Sequence, residues 1–183
     1  FAARAGDGAG CGGRGGGSVT DAVAIREIDA GEFERVWPLF RDVIASGDTY
    51  DYPPDLAFDQ ARTMWTTPPA RCFVAEGGNE VLGAYRLAPN RMAGLGDHVP
   101  NGSYMVSAAA RGRGIGSRLC EHSLQEAKRA GFTAMQFNFV VSTNTGAVRV
   151  WQRHGFDIVG TLPGAFRHAR LGPVDAYVMH RPL

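Results

Sequence analysis

The densest concentration of chemistry in the sequence is the run Arg111-Gly112-Arg113-Gly114-Ile115-Gly116-Ser117. It lies between an apolar strand-like segment and an amphipathic helical one, so turn amides and the helix's first unpaired N–H groups can converge on one anion. Glycines let a diphosphate approach with no Cβ in the way. Two guanidinium forks add charge-assisted bonds to phosphate oxygens. The glycine spacing departs from the G-x-G-x-x-G of dinucleotide folds, and no Gly-Lys-Ser/Thr follows as a P-loop requires. The competing reading is a strand-to-helix turn with no ligand.

Three asparagines form the second constellation. Asn138 interrupts the apolar run Met135-Gln136-Phe137-Asn138-Phe139-Val140, where an unpaired buried amide would cost about 1–3 kcal/mol. Strand parity puts Gln136 and Asn138 on one side and Met135, Phe137 and Phe139 on the other, so Asn138 is expected to meet something polar. A bulge whose neighbouring backbone satisfies the amide is the alternative. Asn101 follows a proline, as turn residues do, and Asn144 opens a helical segment as an N-cap would. No carboxylate or histidine is clearly placed as a base. Asp97 and His98 precede Asn101 on a loop where surface exposure is the expected role. Tyr50 and Tyr52, near Gly47, Pro53 and Pro54, either line a pocket or cover the edge of the core.

These residues need elements to hold them. The pattern predicts a first strand at Val23 and Ile25, a helix over 31–45 that Pro38 interrupts, and a second helix from Leu56 to Trp65. A hairpin of Cys72–Glu76 and Val81–Leu87 follows, then a strand at Gly102–Ser107. The glycine turn leads into a helix ending near Ala130, on which Ile115, Leu119, Cys120, Leu124 and Ala127 share a face. A strand at Ala134–Val141, a short helix from Asn144 to His154 and closing strands at Phe156–Thr161 and Asp175–Met179 complete the order. This predicts an α/β domain with a mixed sheet and helices on both faces. Residues 1–20 read as a flexible leader, because Phe1 to Ser18 hold eight of the 25 glycines and almost no apolar side chains. The folded domain is expected over 21–183.

Composition excludes several function classes. Nineteen basic and 18 acidic side chains leave a formal charge of +1, too little field to draw nucleic acid or an anionic membrane to the chain as a whole. Cys11, Cys72 and Cys120 lack the paired spacing of zinc or redox centres, so no metal is expected and a reducing, cytoplasmic setting fits. No stretch reaches the roughly 20 apolar residues of a membrane span.

The pattern Arg111-x-x-Gly114-x-Gly116 resembles the Gln/Arg-x-x-Gly-x-Gly/Ala signature of the GCN5-related N-acetyltransferases (GNAT). Downstream, Asn144, Ala147 and the Gly155-Phe156 step are similar to that family's other cofactor segment. The resemblance implies a mostly antiparallel sheet splayed between its fourth and fifth strands, with acetyl-coenzyme A as cosubstrate. Its phosphates would rest on Arg111, Gly112, Arg113, Gly114, Ile115, Gly116 and Ser117. Its pantetheine arm would pair with backbone near Val106 and bond Asn144. Many family members carry a tyrosine seven residues after the asparagine as proton donor, whereas this chain has Trp151, whose indole cannot serve. Core or cofactor packing is expected for it instead.

Asn101, Asn138 and Asn144 with this turn further resemble a yeast member of the family that acetylates proline analogues, including azetidine-2-carboxylate and cis-4-hydroxyproline. That implies Asn101 and Asn138 as the catalytic pair holding the acceptor amine, and a detoxifying role. Other amines are the alternative acceptors, among them an antibiotic, a polyamine or a protein N-terminus, with differences expected at Tyr50, Tyr52 and a loop from Gly164 to Gly172. A coenzyme A-binding sensor without catalysis is the reading from another class, and the sequence leaves the assembly open between a single chain and a homodimer.

Overall fold

The computed structural model describes residues 23–91 and 94–183. The glycine-rich leader expected over residues 1–20 lies outside them. Among the described residues, seven strands form one sheet in the order β1-β2-β3-β4-β5-β7-β6. The strands are β1 (Ala24–Ile28), β2 (Arg71–Gly77), β3 (Glu80–Pro89), β4 (Pro100–Val106), β5 (Ala134–Val141), β6 (Asp157–His168) and β7 (Gly172–Pro182). The helices are α1 (Trp37–Ala45), α2 (Phe58–Thr66), α3 (Ile115–Arg129) and α4 (Thr145–Arg153).

Each strand pair is antiparallel except β4 with β5, which run parallel and meet at one register position, Asn101 opposite Gln136. Beyond that point β5 continues along β7 while β4 continues along β3. The sheet is therefore open between its fourth and fifth strands, as expected, and the edge of β4 after Asn101 faces a wedge instead of a strand.

Alternation along the strands divides the core in two. Phe73, Tyr85 and Leu87 join Ile115, Leu119, Leu124 and Ala127 of α3 and Trp151 of α4. Cys72, Val74, Ala84 and Met105 join Phe40 and Ile44 of α1 and Ala61 and Trp65 of α2. Residues one apart on a strand thus feed opposite layers, and the helices pack in pairs on the two faces.

Four sequence expectations are corrected. The helix expected over 31–45 is a short 3-10 turn, Phe33–Arg35, followed by α1. Pro38 sits in the first turn of α1, where its missing N–H costs nothing, so it begins that helix and does not kink it. β5 carries a register shift between Phe137 and Val140. That irregularity breaks the simple parity: Phe137 packs on Phe156 at 4.2 Å while Phe139 turns to Phe166, and Val140 rejoins the first core layer. Finally, the expected loop from Gly164 to Gly172 is mostly strand, since β6 runs to His168 and β7 begins at Gly172.

Candidate active site

The glycine turn closes as the sequence implies. β4 ends at Val106, a 3-10 turn spans Ala108–Ala110, and α3 starts at Ile115. Gly112 and Gly114 adopt φ of 76° and 78°, the left-handed region that L side chains avoid, and Gly114 is the N-cap of α3. Their requirement is thus conformational: a Cβ on either would meet nothing within 4 Å. The first internal bond of α3 runs from the Arg118 N–H to the Gly114 carbonyl, which leaves the amides of Ile115, Gly116 and Ser117 unpaired in the helix. The first turn of α3 holds no acidic side chain, so nothing opposes an anion at the positive end of the helix dipole.

A groove of about 1020 Å³ runs from this turn into the wedge. Val106, Arg111, Gly112, Gly114, Ile115, Gly116, Ser117 and Asn144 all line it. Arg113 does not: it lies exposed on the turn, outside the groove wall. The Ser117 hydroxyl is engaged with Nε2 of His154 at 2.7 Å, so Ser117 offers the groove its amide. Burial holds the His154 imidazole below its usual range and favours the neutral ring. His168 and Arg170, beside the turn at 169–171, also reach this groove. The segment expected among the features that distinguish acceptors therefore borders the larger groove.

A second cavity of about 270 Å³ lies against the first and shares Tyr50, Tyr104, Asn144 and Trp151 with it. Asn101 and Asn138 both line it. At the β5 irregularity, the Asn138 N–H donates to Oδ1 of Asn101 at 3.3 Å. The Asn138 amide nitrogen donates to Oδ1 of Asn90 at 2.7 Å, and its oxygen accepts from Gln136 at 2.8 Å. Asn138 is thus exposed within an amide cluster at the cavity rim, and the bulge foreseen as an alternative explanation is present. Asn144 caps α4 by accepting the Ala147 N–H at 3.3 Å, while its amide NH₂ remains for a ligand.

The two tyrosines of the loop take different parts in the wall. The Tyr50 hydroxyl donates to the Tyr104 carbonyl at 2.8 Å. Tyr52 stacks on Phe40 at 5.8 Å. Burial pushes both phenols up, and for Tyr52 the nearby Arg86 charge pulls partly the other way. Trp151 is 7% exposed and packs 4.7 Å from Tyr104 and 5.0 Å from Phe137, so it is a core side chain forming the partition between the cavities. Asp97 and His98 are exposed and line neither cavity.

Two charged residues lining the smaller cavity escaped the sequence reading: Arg86 and Asp51. Arg86, the seventh of the ten residues of β3, is the charged interruption of the otherwise apolar run from Val81 to Pro89, a signal of the same kind as Asn138. Asp51 sits between the two tyrosines and was legible only with them. Among the described residues, no cluster of three or more His, Cys, Asp or Glu is placed to hold a metal, and no helix is long and apolar enough to cross a membrane.

Comparison with known proteins bears on this geometry. The pattern of the Acetyltransferase (GNAT) family matches residues 25–156. N-acetyltransferase aca1 of Schizosaccharomyces pombe is 38% identical over 99 residues, which are 54% of this chain and 47% of that protein. The chain thus aligns with about half of that relative's length. A GCN5-related N-acetyltransferase from Kribbella flavida is 46% identical, with a TM-score of 0.83 over 88% of this chain and 98% of its own. An acetyltransferase structure from Salmonella typhimurium, described with its cofactor acetyl-CoA, shares the fold at a TM-score of 0.75 and 20% identity, over 88% of this chain and 94% of its own. With the glycine turn, the opened sheet and the asparagine-capped helix in place, the chain belongs to the GNAT acetyltransferase family.

Proposed function

We propose that the protein transfers the acetyl group of acetyl-coenzyme A to the amine of a small amino or imino acid, with proline analogues such as azetidine-2-carboxylate as the best-fitting acceptors. The observation that carries this reading is the junction of a long groove and a small cavity at Tyr104, Asn144 and Trp151. The groove has the dimensions and anion-binding end that a long diphosphate ligand needs, and the cavity of about 270 Å³ suits an acceptor of few heavy atoms.

The residues fit the cosubstrate on chemical grounds. The amides of Ile115, Gly116 and Ser117 with the Arg111 guanidinium are suited to the diphosphate. The edge of β4 near Val106, unpaired with β5, is suited to amide groups of an extended arm. When bound, the thioester supplies an activated acyl group with a thiol leaving group. The chain's own part is to hold the acceptor amine and to keep water out. Asn101 and Asn138 orient the amine from the β4–β5 rim, and the Tyr104–Trp151 partition packs the boundary with apolar surface. Asp51 is the carboxylate on the cavity wall, and its negative charge is suited to drawing in an ammonium acceptor.

The test is free-thiol release with acetyl-coenzyme A and a panel of proline analogues, amino acids, polyamines and peptide N-termini. Turnover confined to small amino and imino acids is the expected result. Turnover confined to polyamines or peptides would overturn the acceptor assignment, and tight coenzyme A binding with no turnover would indicate a sensor.

A further inference from the structure

Arg86 has no role in the reading of the cosubstrate, yet it is the cation on the wall of the acceptor cavity. Its place is fixed from both ends. In register it stands opposite Ser103 of β4, two residues along from Asn101, on the sheet face that carries Ala84 and Met105. Neighbouring strands are about 4.8 Å apart and residues two apart on a strand are about 6.6 Å apart, so Arg86 and Asn101 flank one small volume. The guanidinium is anchored by Nε, which donates to the Met64 carbonyl of α2 at 2.8 Å.

That anchor leaves both terminal nitrogens without a protein acceptor among the described residues, and no carboxylate lies within ion-pair distance of them. The other arginines of β1 and β2 behave differently: Arg26 and Arg71 are each paired with two glutamates. A half-buried guanidinium held by one edge, with its fork turned loose beside a cavity, is arranged for a planar anion.

We infer that Arg86 binds the carboxylate of the acceptor, and that the acceptor is therefore an α-amino or α-imino carboxylate rather than a simple amine. This deepens the acetylation reading and rests on it. The carboxylate on Arg86 places the neighbouring nitrogen toward Asn101 and Asn138, since the two groups of an α-amino acid are separated by one carbon. It also changes the chemistry of that nitrogen. An unpaired carboxylate stabilises the adjacent ammonium, and pairing it with Arg86 removes that stabilisation, so the neutral amine forms more readily. The neutral nitrogen then bonds to the acetyl carbon, the carbon–sulfur bond breaks, and the nitrogen's proton balances the departing thiolate. The products are an N-acetyl amino acid and coenzyme A.

The test compares azetidine-2-carboxylate with its methyl ester in the intact protein and in the Arg86→Gln and Arg86→Lys variants, measuring kcat and KM by thiol release. The wild-type protein is expected to prefer the acid by about 100-fold in kcat/KM, the scale of a lost charge-assisted pair. In Arg86→Gln that preference is expected to fall to within about threefold of unity, chiefly through KM, with Arg86→Lys between the two. Equal use of acid and ester by the wild-type protein, or an unchanged preference in Arg86→Gln, overturns the assignment of Arg86 alone. Absence of turnover with both acid and ester, and with every other amine of the panel, overturns the acetylation reading itself.

Discussion

The hydroxyl of Tyr50 donates to the backbone carbonyl of Tyr104 at 2.8 Å, and this one bond ties the loop before α2 to the open strand β4 where the two cavities touch. Tyr50→Phe deletes the donor and leaves that carbonyl to water or ligand. The expected cost is about 1 kcal/mol of stability and about a tenfold fall in kcat/KM for the acceptor as the loop loses its register. Thermal unfolding and steady-state kinetics measure the two separately. Because burial holds the Tyr50 phenol well above its ordinary range, no tyrosine ionisation should appear in the pH–rate profile below about pH 10.

The two arginines of the glycine turn should behave unequally. Arg111 lines the groove and Arg113 does not. Arg111→Gln is expected to weaken coenzyme A binding about tenfold or more, and Arg113→Gln less than about threefold, as isothermal calorimetry would show. Equal losses would mean that the exposed guanidinium folds over the bound diphosphate.

Gly83 lies where β3 comes close to α3 and β4. A Cβ there would stand 2.9 Å from both Leu119 Cδ1 and the Met105 carbonyl oxygen, and 3.1 Å from Ile115 Cγ2. Gly83→Ala must displace the Met105 carbonyl of β4 and turn the side chains of Leu119 and Ile115 aside, at about 1–3 kcal/mol. Coenzyme A affinity should fall with it, although residue 83 lines neither cavity. A urea titration beside a binding titration checks both.

Asn138→Ala should separate function from folding. The side chain is exposed, and its partners Asn90 and Gln136 remain hydrated without it. Stability is expected to change by less than about 0.5 kcal/mol, while turnover falls by about tenfold or more. Parallel loss of melting temperature and activity would assign the amide to the bulge alone.

Stability should decline as pH falls from 7 toward 5. Burial keeps His122 and His154 below the ordinary histidine value of 6.5, so the unfolded chain takes up their protons first. Folded-state stability from these groups is complete above that value and is lost as pH drops through it. Glu76 is held below the usual carboxylate range by its hydrogen bond to Arg26, and Arg35 lies close by. Its contribution is present above about pH 4.5 and disappears at lower pH. Urea midpoints at pH 7.5, 6 and 4 would resolve the two stages, and a flat profile between pH 7.5 and 6 would contradict the first.

Legibility in the sequence followed the range of the interactions involved. The glycine turn was readable because left-handed φ and helix initiation are local demands on Gly112, Gly114 and Ile115. Asn144 was readable for the same reason, since its cap closes within three residues. The face shared by Ile115, Leu119, Leu124 and Ala127 also emerged from spacing alone. What could not be read depended on register between distant strands. Arg86 meets the smaller cavity only because β3 and β4 align it with Ser103. Phe139 leaves the parity of Phe137 only because β7 imposes a shifted pairing on β5. The segment 164–172 resembled a loop because Gly164 and Gly172 bound it, yet pairing with β7 carries β6 through to His168.

The lone parallel rung between Asn101 and Gln136 leaves the sheet as two leaves sewn together at one stitch. On the proposed reading a coenzyme lying in the wedge would supply the missing rungs, so its occupancy and the cohesion of the two leaves would be linked quantities: at a hundred times its dissociation constant it would add about 2.7 kcal/mol. Without such a ligand that seam is expected to be the first place the sheet opens, so the lifetime of the chain would gauge the cofactor supply around it.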